Sequence, residues 1–268
     1  MQQTEPAPRA ARRERAVSRL RLEATLWAPR SGSENMAIDV ELLALAARTG
    51  TGFLRLYRFE PPCLSFGRHE PALGRYDRDA ITRRGIDVVR RPTGGRAVWH
   101  EQELTYAIAA PIAAWGSLRD SYHAIHARLV VALRALGVPA TLGAAPAAVA
   151  GVGAGACFAT PVAGEVLVAG RKLVGSAQLR LGSAFLQHGS ILLGGTQDLV
   201  ACVGRAPAPP TRETTVSTVL GRAVSFETVA DAVVAAFGYA APAAWVPAGA
   251  RSSGREFPFN DPAWTWRR

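Results

Sequence analysis

Apolar residues at Met36, Val40, Leu43 and Ala47 recur every three to four positions, which predicts a helix from Ser33 to Gly50. Ser33 serves as its N-cap and Gly50 as its stop. Phe53 to Phe59 and Cys63 to Phe66 read as strands separated by Pro61-Pro62. A short helix over Asp77 to Arg84 ends at Gly85, and Ile86 to Arg90 reads as a strand. Gly94-Gly95 turns the chain into Ala97 to His100, and Leu104 to Ala110 is another strand. The stripe Tyr122, Ile125, Leu129, Leu133 and Leu136 makes Leu118 to Leu136 the clearest helix.

Residues 143–156 are Ala- and Gly-rich without periodicity and read as a loop. Glu165 to Val168, Lys172 to Leu181 and Phe185 to Leu193 read as three antiparallel strands, turning at Ala169-Gly170 and Gly182-Ser183. A Pro-rich connector (204–212), a helix from Phe226 to Phe237 and a patternless tail from Ala241 follow. The expected class is α+β: mixed and antiparallel sheets flanked by helices. Residues 1–22 are expected to be a disordered arm, 23–240 one catalytic domain and 241–268 a C-terminal tail.

The 268 residues, 49% apolar and 19% charged, suit a folded domain with a substantial core. The longest uncharged stretch, Leu136 to Gly164, is too diluted by Ala, Gly and Pro to span a membrane. No apolar leader segment is visible, and the three cysteines contain no C-x-x-C pair. These features point to a cytoplasmic chain without a disulfide scaffold or a metal site. Cys63 and Cys202 read as small buried hydrophobes. The net charge of +10 calls for an acidic partner, though Arg9, Arg12, Arg13, Arg15, Arg19 and Arg21 concentrate part of it in the arm. Thirty of the 31 basic residues are Arg; Lys172 is the only Lys. A compact, rotatable ammonium is the one thing a guanidinium does not imitate.

Three segments carry candidate chemistry. In Arg90-Arg91-Pro92-Thr93-Gly94-Gly95-Arg96-Ala97-Val98-Trp99-His100, a basic strand ends at glycines that let the backbone approach an anionic or carbonyl-bearing ligand. In Gly170 to Gln178, strict alternation puts Lys172, Val174, Ser176 and Gln178 on one face and Leu173, Gly175 and Ala177 on the other. Leu186-Gln187-His188-Gly189-Ser190 returns on the neighbouring strand. Cys157, at the end of the Ala/Gly loop, is a candidate nucleophile if an ammonium such as that of Lys172 stabilises its thiolate.

Taken together, these segments resemble the biotin/lipoate-protein ligase catalytic superfamily. Arg90 to His100 is similar to R-R-x-[ST]-G-G-x-A-V-x-H, Gly170 to Gln178 to G-x-K-[ILV]-x-G-S-A-Q, and Leu186 to Ile191 to L-Q-H-G-S-I. Asn35-Met36-Ala37-Ile38-Asp39 resembles the family's N-M-A-x-D helix start. Ala156-Cys157-Phe158 with Pro161 looks like the nucleophile segment of the cysteine-dependent octanoyltransferases, 15 residues before Lys172. The resemblance implies the superfamily's catalytic-domain fold. It also implies transfer of an octanoyl group from acyl carrier protein, through a Cys157 thioester, to the acceptor lysine of a lipoyl-domain protein. Glycine cleavage H protein and 2-oxoacid dehydrogenase subunits are such acceptors.

On this reading Cys157 and Lys172 are catalytic. Arg90, Arg91, Thr93, Gly94, Gly95, His100, Gly175, Ser176, Ala177, Gln178, His188 and Gly189 bind substrate. No cofactor, metal, nucleic acid or membrane is implied, and a monomer is expected. An ATP-dependent lipoate-protein ligase is the alternative.

Overall fold

The computed structural model describes residues 22–143, 164–207, 212–239, 245–246 and 257–267. Strand β1 (Leu22–Trp27) leads into helix α1 (Gly32–Thr49), followed by β2 (Gly52–Tyr57) and β3 (Cys63–Phe66). Short helices α2 (Ala72–Arg75) and α3 (Arg78–Arg83) precede β4 (Asp87–Arg90), β5 (Val98–His100) and β6 (Glu103–Pro111). Then come α4 (Leu118–Ala135), β7 (Thr141–Leu142), β8 (Val166–Val168), β9 (Arg171–Leu181) and β10 (Ala184–Leu192). Helices α5 (Asp198–Cys202), α6 (Val216–Leu220) and α7 (Phe226–Ala236), strand β11 (Trp245–Val246) and helix α8 (Pro262–Thr265) complete the described chain. This is the α+β arrangement the sequence implied.

The strands form one sheet in the order β11-β1-β2-β6-β10-β9-β8-β7 and a smaller sheet β4-β3-β5. Helices α4 and α7 cover one face of the large sheet, where Leu54, Ile108, Phe185, Ile125, Leu129 and Val233 share a core. Helix α1 covers the other face through Met36, Val40 and Leu43, packed on Phe53, Ala107 and Leu186. Alternation along each strand supplies both cores from one sheet.

Two cross-strand rows on the α1 face matter for the site. Arg55, Ala107, His188 and Ala177 lie in register across β2, β6, β10 and β9, and Tyr57, Thr105, Ser190 and Gly175 form the next row. Polar and small side chains thus replace hydrocarbon in the middle of an otherwise apolar sheet.

Local chemistry moves some boundaries. Helix α1 begins after Ser31, not Ser33: the Ser31 hydroxyl and the Glu34 carboxylate form a reciprocal capping box that no choice at Ser33 offers. The strict alternation expected along β9 is interrupted. Val166 pairs with Val174 but Leu167 pairs with Lys172, so Leu173 is the extra residue of a bulge. Leu173 and Val174 both enter the α4-side core, and Lys172 passes to the opposite face, that of Gly175 and Ala177. Lys172 therefore does not share a face with Ser176 and Gln178.

The tail is patterned where it is described. Asp261 caps α8 with Pro262 at its first turn, and Phe259 and Trp266 are buried. No helix among the described residues is long and apolar enough to cross a membrane.

A buried carboxylate ties α1 to the sheet. Asp39 accepts from Arg55 Nη1 at 2.7 Å, from the Tyr57 hydroxyl at 2.8 Å and from His188 Nδ1 at 2.9 Å. Burial raises its pKa, but the His188 bond, the Arg55 charge and the Tyr57 bond more than offset that and hold it below the ordinary value. Asp39→Asn leaves the Arg55 guanidinium buried without a counter-ion. The expected loss, read by chemical denaturation at neutral pH, is about 3–5 kcal/mol. Because the folded-state value is depressed, the stabilisation from Asp39 is present above about pH 4 and is lost as pH falls through the folded value. The variant should lack this part of the acid limb.

Candidate active site

A cavity of about 380 Å³ opens over the two polar rows, between the large sheet, the small sheet and α1. Its walls include Arg91, His100, Gly175, Ser176, Ala177, His188 and Gly189, seven of the residues singled out from sequence. Met36, Tyr57, Phe59 and Val98 add apolar surface, and Ser65, Thr105 and Ser190 add hydroxyls. The cavity exists because the floor residues are small. A Cβ on Gly189 would lie 2.4 Å from the Gly175 carbonyl oxygen, so this strand crossing admits nothing larger.

The Arg90–His100 segment divides its labour. Arg91 faces the cavity and anchors its own turn, donating to the Gly94 carbonyl at 2.9 and 3.2 Å and to the Ser65 carbonyl and hydroxyl at 3.2 and 3.0 Å. Arg90 points away from the cavity. Its fully buried guanidinium donates to the carbonyls of Gly67, Arg68, Glu70, Trp264, Thr265 and Arg267. Burial and the neighbouring Arg267 lower its pKa to about 10, which leaves it cationic at neutral pH. Arg90 thus clamps the C-terminal segment onto the loop after β3. Gly94 and Gly95 are likewise outside the cavity wall. Gly95 is where the turn meets that loop, for a Cβ on Gly67 would sit 1.8 Å from the Gly95 oxygen.

Three histidines are held in defined tautomers by their acceptors. His188 donates from Nδ1 to Asp39 and accepts at Nε2 from the Thr93 hydroxyl at 2.6 Å, so Thr93 serves as a buried strut. His100 donates from Nδ1 to Glu103 at 2.6 Å and accepts at Nε2 from the Ser65 hydroxyl at 2.7 Å, with Phe59 stacked on its ring. His126, on α4, donates from Nδ1 to the Gly164 carbonyl at 2.6 Å and accepts from Ser176 Oγ at 2.8 Å. Burial lowers its pKa to about 4, so it is neutral in any working buffer.

Ser176 in turn accepts from Tyr106, and Tyr106 from Gln187. Gln178 is not one of the walls of this cavity: its amide donates to Gln187, to the Leu118 carbonyl and to Ser121.

Lys172 is buried, with Nζ 2.5 Å from Glu165 Oε1, and its backbone pairs with Arg212 and Thr214. It is not one of the cavity walls. Cys157 lies outside the described residues. Cys63 is buried and its thiol is pushed up by burial and by Asp87. Cys202 is exposed, contrary to the expectation of a buried hydrophobe, because it ends the short surface helix α5. The sequence reading gave no role to Ser65, Glu103, His126 or Glu165. His126 is hidden because it sits inside a regular apolar helix stripe, and Glu165 because seven residues and a turn separate it from Lys172.

Against proteins of known family, residues 31–238 match the lipoyl protein ligase A/B catalytic domain. An octanoyltransferase LipM from Kyrpidia tusciae is 40% identical over 215 residues, 77% of this chain and 78% of that one. The LipM octanoyltransferase of Symbiobacterium thermophilum is 40% identical over 225 residues, covering 78% and 82%. Among solved structures, putative lipoate protein ligase Ta0514 from T. acidophilum superposes with a TM-score of 0.70 at 20% identity, over 91% of this chain and 99% of that one. A lipoate-protein ligase A bound with ATP gives 0.67 at 22% identity, over 81% and 83%. At these identities the structural likeness speaks to fold alone.

Arg90→Lys replaces a guanidinium fork by a single ammonium amid six carbonyls. The expected result is a stability loss of at least about 2 kcal/mol by denaturant titration. Proteolytic cleavage within the 257–267 segment should also become faster.

Proposed function

The chain belongs to the lipoyl protein ligase A/B catalytic-domain family, and from its LipM relatives we infer that it is an octanoyltransferase of protein lipoylation acting on lipoyl-domain proteins. The observation that carries this is identity of about two residues in five over more than three quarters of the chain. The cavity is consistent with it: Met36, Tyr57, Phe59 and Val98 give it apolar walls that suit an acyl chain.

We further propose the route and the residues. The donor is the octanoyl thioester of acyl carrier protein, and glycine cleavage H protein or a 2-oxoacid dehydrogenase subunit is the acceptor. The Cys157 thiolate attacks the thioester carbon; a new C–S bond forms, the old one breaks, and the carrier leaves as a thiolate that takes a proton from water. One thioester replaces another of similar energy, so the acyl group stays activated without ATP. The acceptor lysine's amine then forms the C–N bond, the C–S bond to Cys157 breaks, and a stable amide leaves.

Lys172 is proposed to stabilise the Cys157 thiolate. Its ammonium is buried, fixed by Glu165 and turned to the cavity face of β9, features that support this role. The basic net charge of +10 favours encounter with acidic donor and acceptor proteins.

Incubation with octanoyl-acyl carrier protein in the absence of ATP should add one octanoyl mass to the wild-type chain, and no adduct should form on Cys157→Ser. A wild-type chain that modifies a lipoyl domain only when ATP is supplied would return the ligase alternative. Lys172→Arg conserves charge but not shape, and acylation should slow at least ~10-fold in single-turnover measurements.

A further inference from the structure

Two buried imidazoles line the cavity, and a third, His126, bonds its wall residue Ser176; they differ in what their partners leave unspent. His126 is held neutral by burial, and its partner is a carbonyl, which gives an added proton no counter-charge. His188 rests on Asp39, but that carboxylate is already paired with the Arg55 guanidinium at 2.7 Å and bonded to Tyr57. His100 is different. Its carboxylate, Glu103, has no ion-pair partner except His100 among the described residues, and Glu103 Oε2 is buried with no hydrogen-bond partner. Oε1 accepts from His100 and from the Thr105 hydroxyl. A buried carboxyl group with no other cation beside it therefore sits behind one cavity-lining imidazole, placed to act as its counter-ion.

The ring is also connected to the cavity. Both His100 and Ser65 are wall residues, and the Ser65 hydroxyl bonds His100 Nε2 at 2.7 Å. Other groups facing this pair are Arg91, 3.0 Å from Ser65 Oγ, and Cys63, opposite His100 on β3. Tyr57 senses the Glu103 charge from β2. Burial pushes the Cys63 thiol and the Tyr57 phenol up, so both are neutral near pH 7. Phe59 covers the ring at a centroid distance of 4.1 Å.

We propose that His100, oriented and charge-balanced by Glu103, is the base that takes a proton from the acceptor lysine's ammonium during acyl transfer. This rests on the thioester route above. The ammonium gives one proton to His100 Nε2, directly or through Ser65 Oγ, and an imidazolium forms against Glu103. The freed lone pair makes the C–N bond, the C–S electron pair returns to the cysteine sulfur, and the nitrogen's second proton goes to that sulfur. The imidazolium then resets by losing its proton to water. His100 is a catalytic residue in this scheme, and Glu103 is a positioning residue acting through it.

The two half-reactions are separable. Acyl-enzyme is formed with octanoyl-pantetheine, isolated, and chased with a purified lipoyl domain, each step being followed by intact mass. For the wild-type chain the transfer rate should level off by about pH 8, far below the lysine value of about 10.4. In His100→Gln the ratio of transfer rate to acylation rate should fall ~100-fold. The plateau should vanish, and the remaining rate should climb about tenfold per pH unit through pH 9 as lysine itself ionises. Glu103→Gln should reduce the same ratio, because the imidazolium loses its counter-ion, while acylation stays near the wild-type rate.

A wild-type rate that climbs to pH 9 without a plateau overturns the inference and needs no variant to show it. Equal slowing of both half-reactions in His100→Gln also overturns it. If the wild-type chain forms no acyl-enzyme at all, the thioester route falls, and this step falls with it.

Discussion

One buried carboxylate sets the geometry of the cavity. Asp39 is fully enclosed and has three donors from two strands of the sheet, Arg55 and Tyr57 on β2 and His188 on β10. A charge in that position is costly unless its partners are held in place, so the arrangement tolerates little slack in how α1 lies on the sheet. Arg55 extends the constraint by donating to the Asn35 side chain at 2.6 Å and to its carbonyl at 3.0 Å, one turn earlier on the same helix. His188 extends it in the other direction, through Thr93 into the turn that carries Arg91. Helix, sheet and ligand-facing loop are thus joined by one continuous polar path. Each bond in it is stronger for lying in a medium of low dielectric.

That path explains why two adjacent arginines have opposite roles. Alternation at the end of β4 sends Arg90 and Arg91 to opposite sides. Arg91 meets the turn and the cavity; Arg90 meets only carbonyls, three of them from the segment 264–267. Trp264 returns the contact by donating from its indole to the Arg90 carbonyl at 3.1 Å, and the Arg267 guanidinium bonds the Arg68 carbonyl. The matched family region ends at residue 238, yet this later segment is built into the support of the signature loop. A basic residue beside a cavity-facing turn need not face the cavity.

Much of this was legible in the sequence, and the exceptions have physical causes. The long helices and the β9–β10 hairpin follow from apolar period and turn chemistry, and seven of the singled-out positions do meet in one cavity. The face of Lys172 was misread because a bulge adds one residue, and a period of two has no way to announce it. Gln178 is a different case. It does alternate with Ser176 as expected, but that face packs on α4, where its amide is spent on Leu118 and Ser121. Glu103 looks ordinary in one dimension, and the motif that holds Asp39 does not tell which partners it meets. Their importance comes from which strand passes beside them.

On the proposed function, the polar lining of the cavity looks contradictory until its bonds are counted by direction. A saturated chain offers no hydrogen bond, so any wall donor or acceptor left open would lose its water partner on binding and gain nothing. The hydroxyls of Ser65 and Ser176 and the rings of His100 and His188 are already engaged with neighbours inside the wall. What such a wall presents to a ligand is shape, with Gly175, Ala177 and Gly189 supplying depth and Phe59 and Met36 supplying hydrocarbon. Polarity is then available at the carbonyl end, where charge develops, without being a penalty along the chain. The buried unpaired oxygen of Glu103 is the exception to this internal saturation, and it lies directly behind the one imidazole whose carboxylate has no other cation to balance.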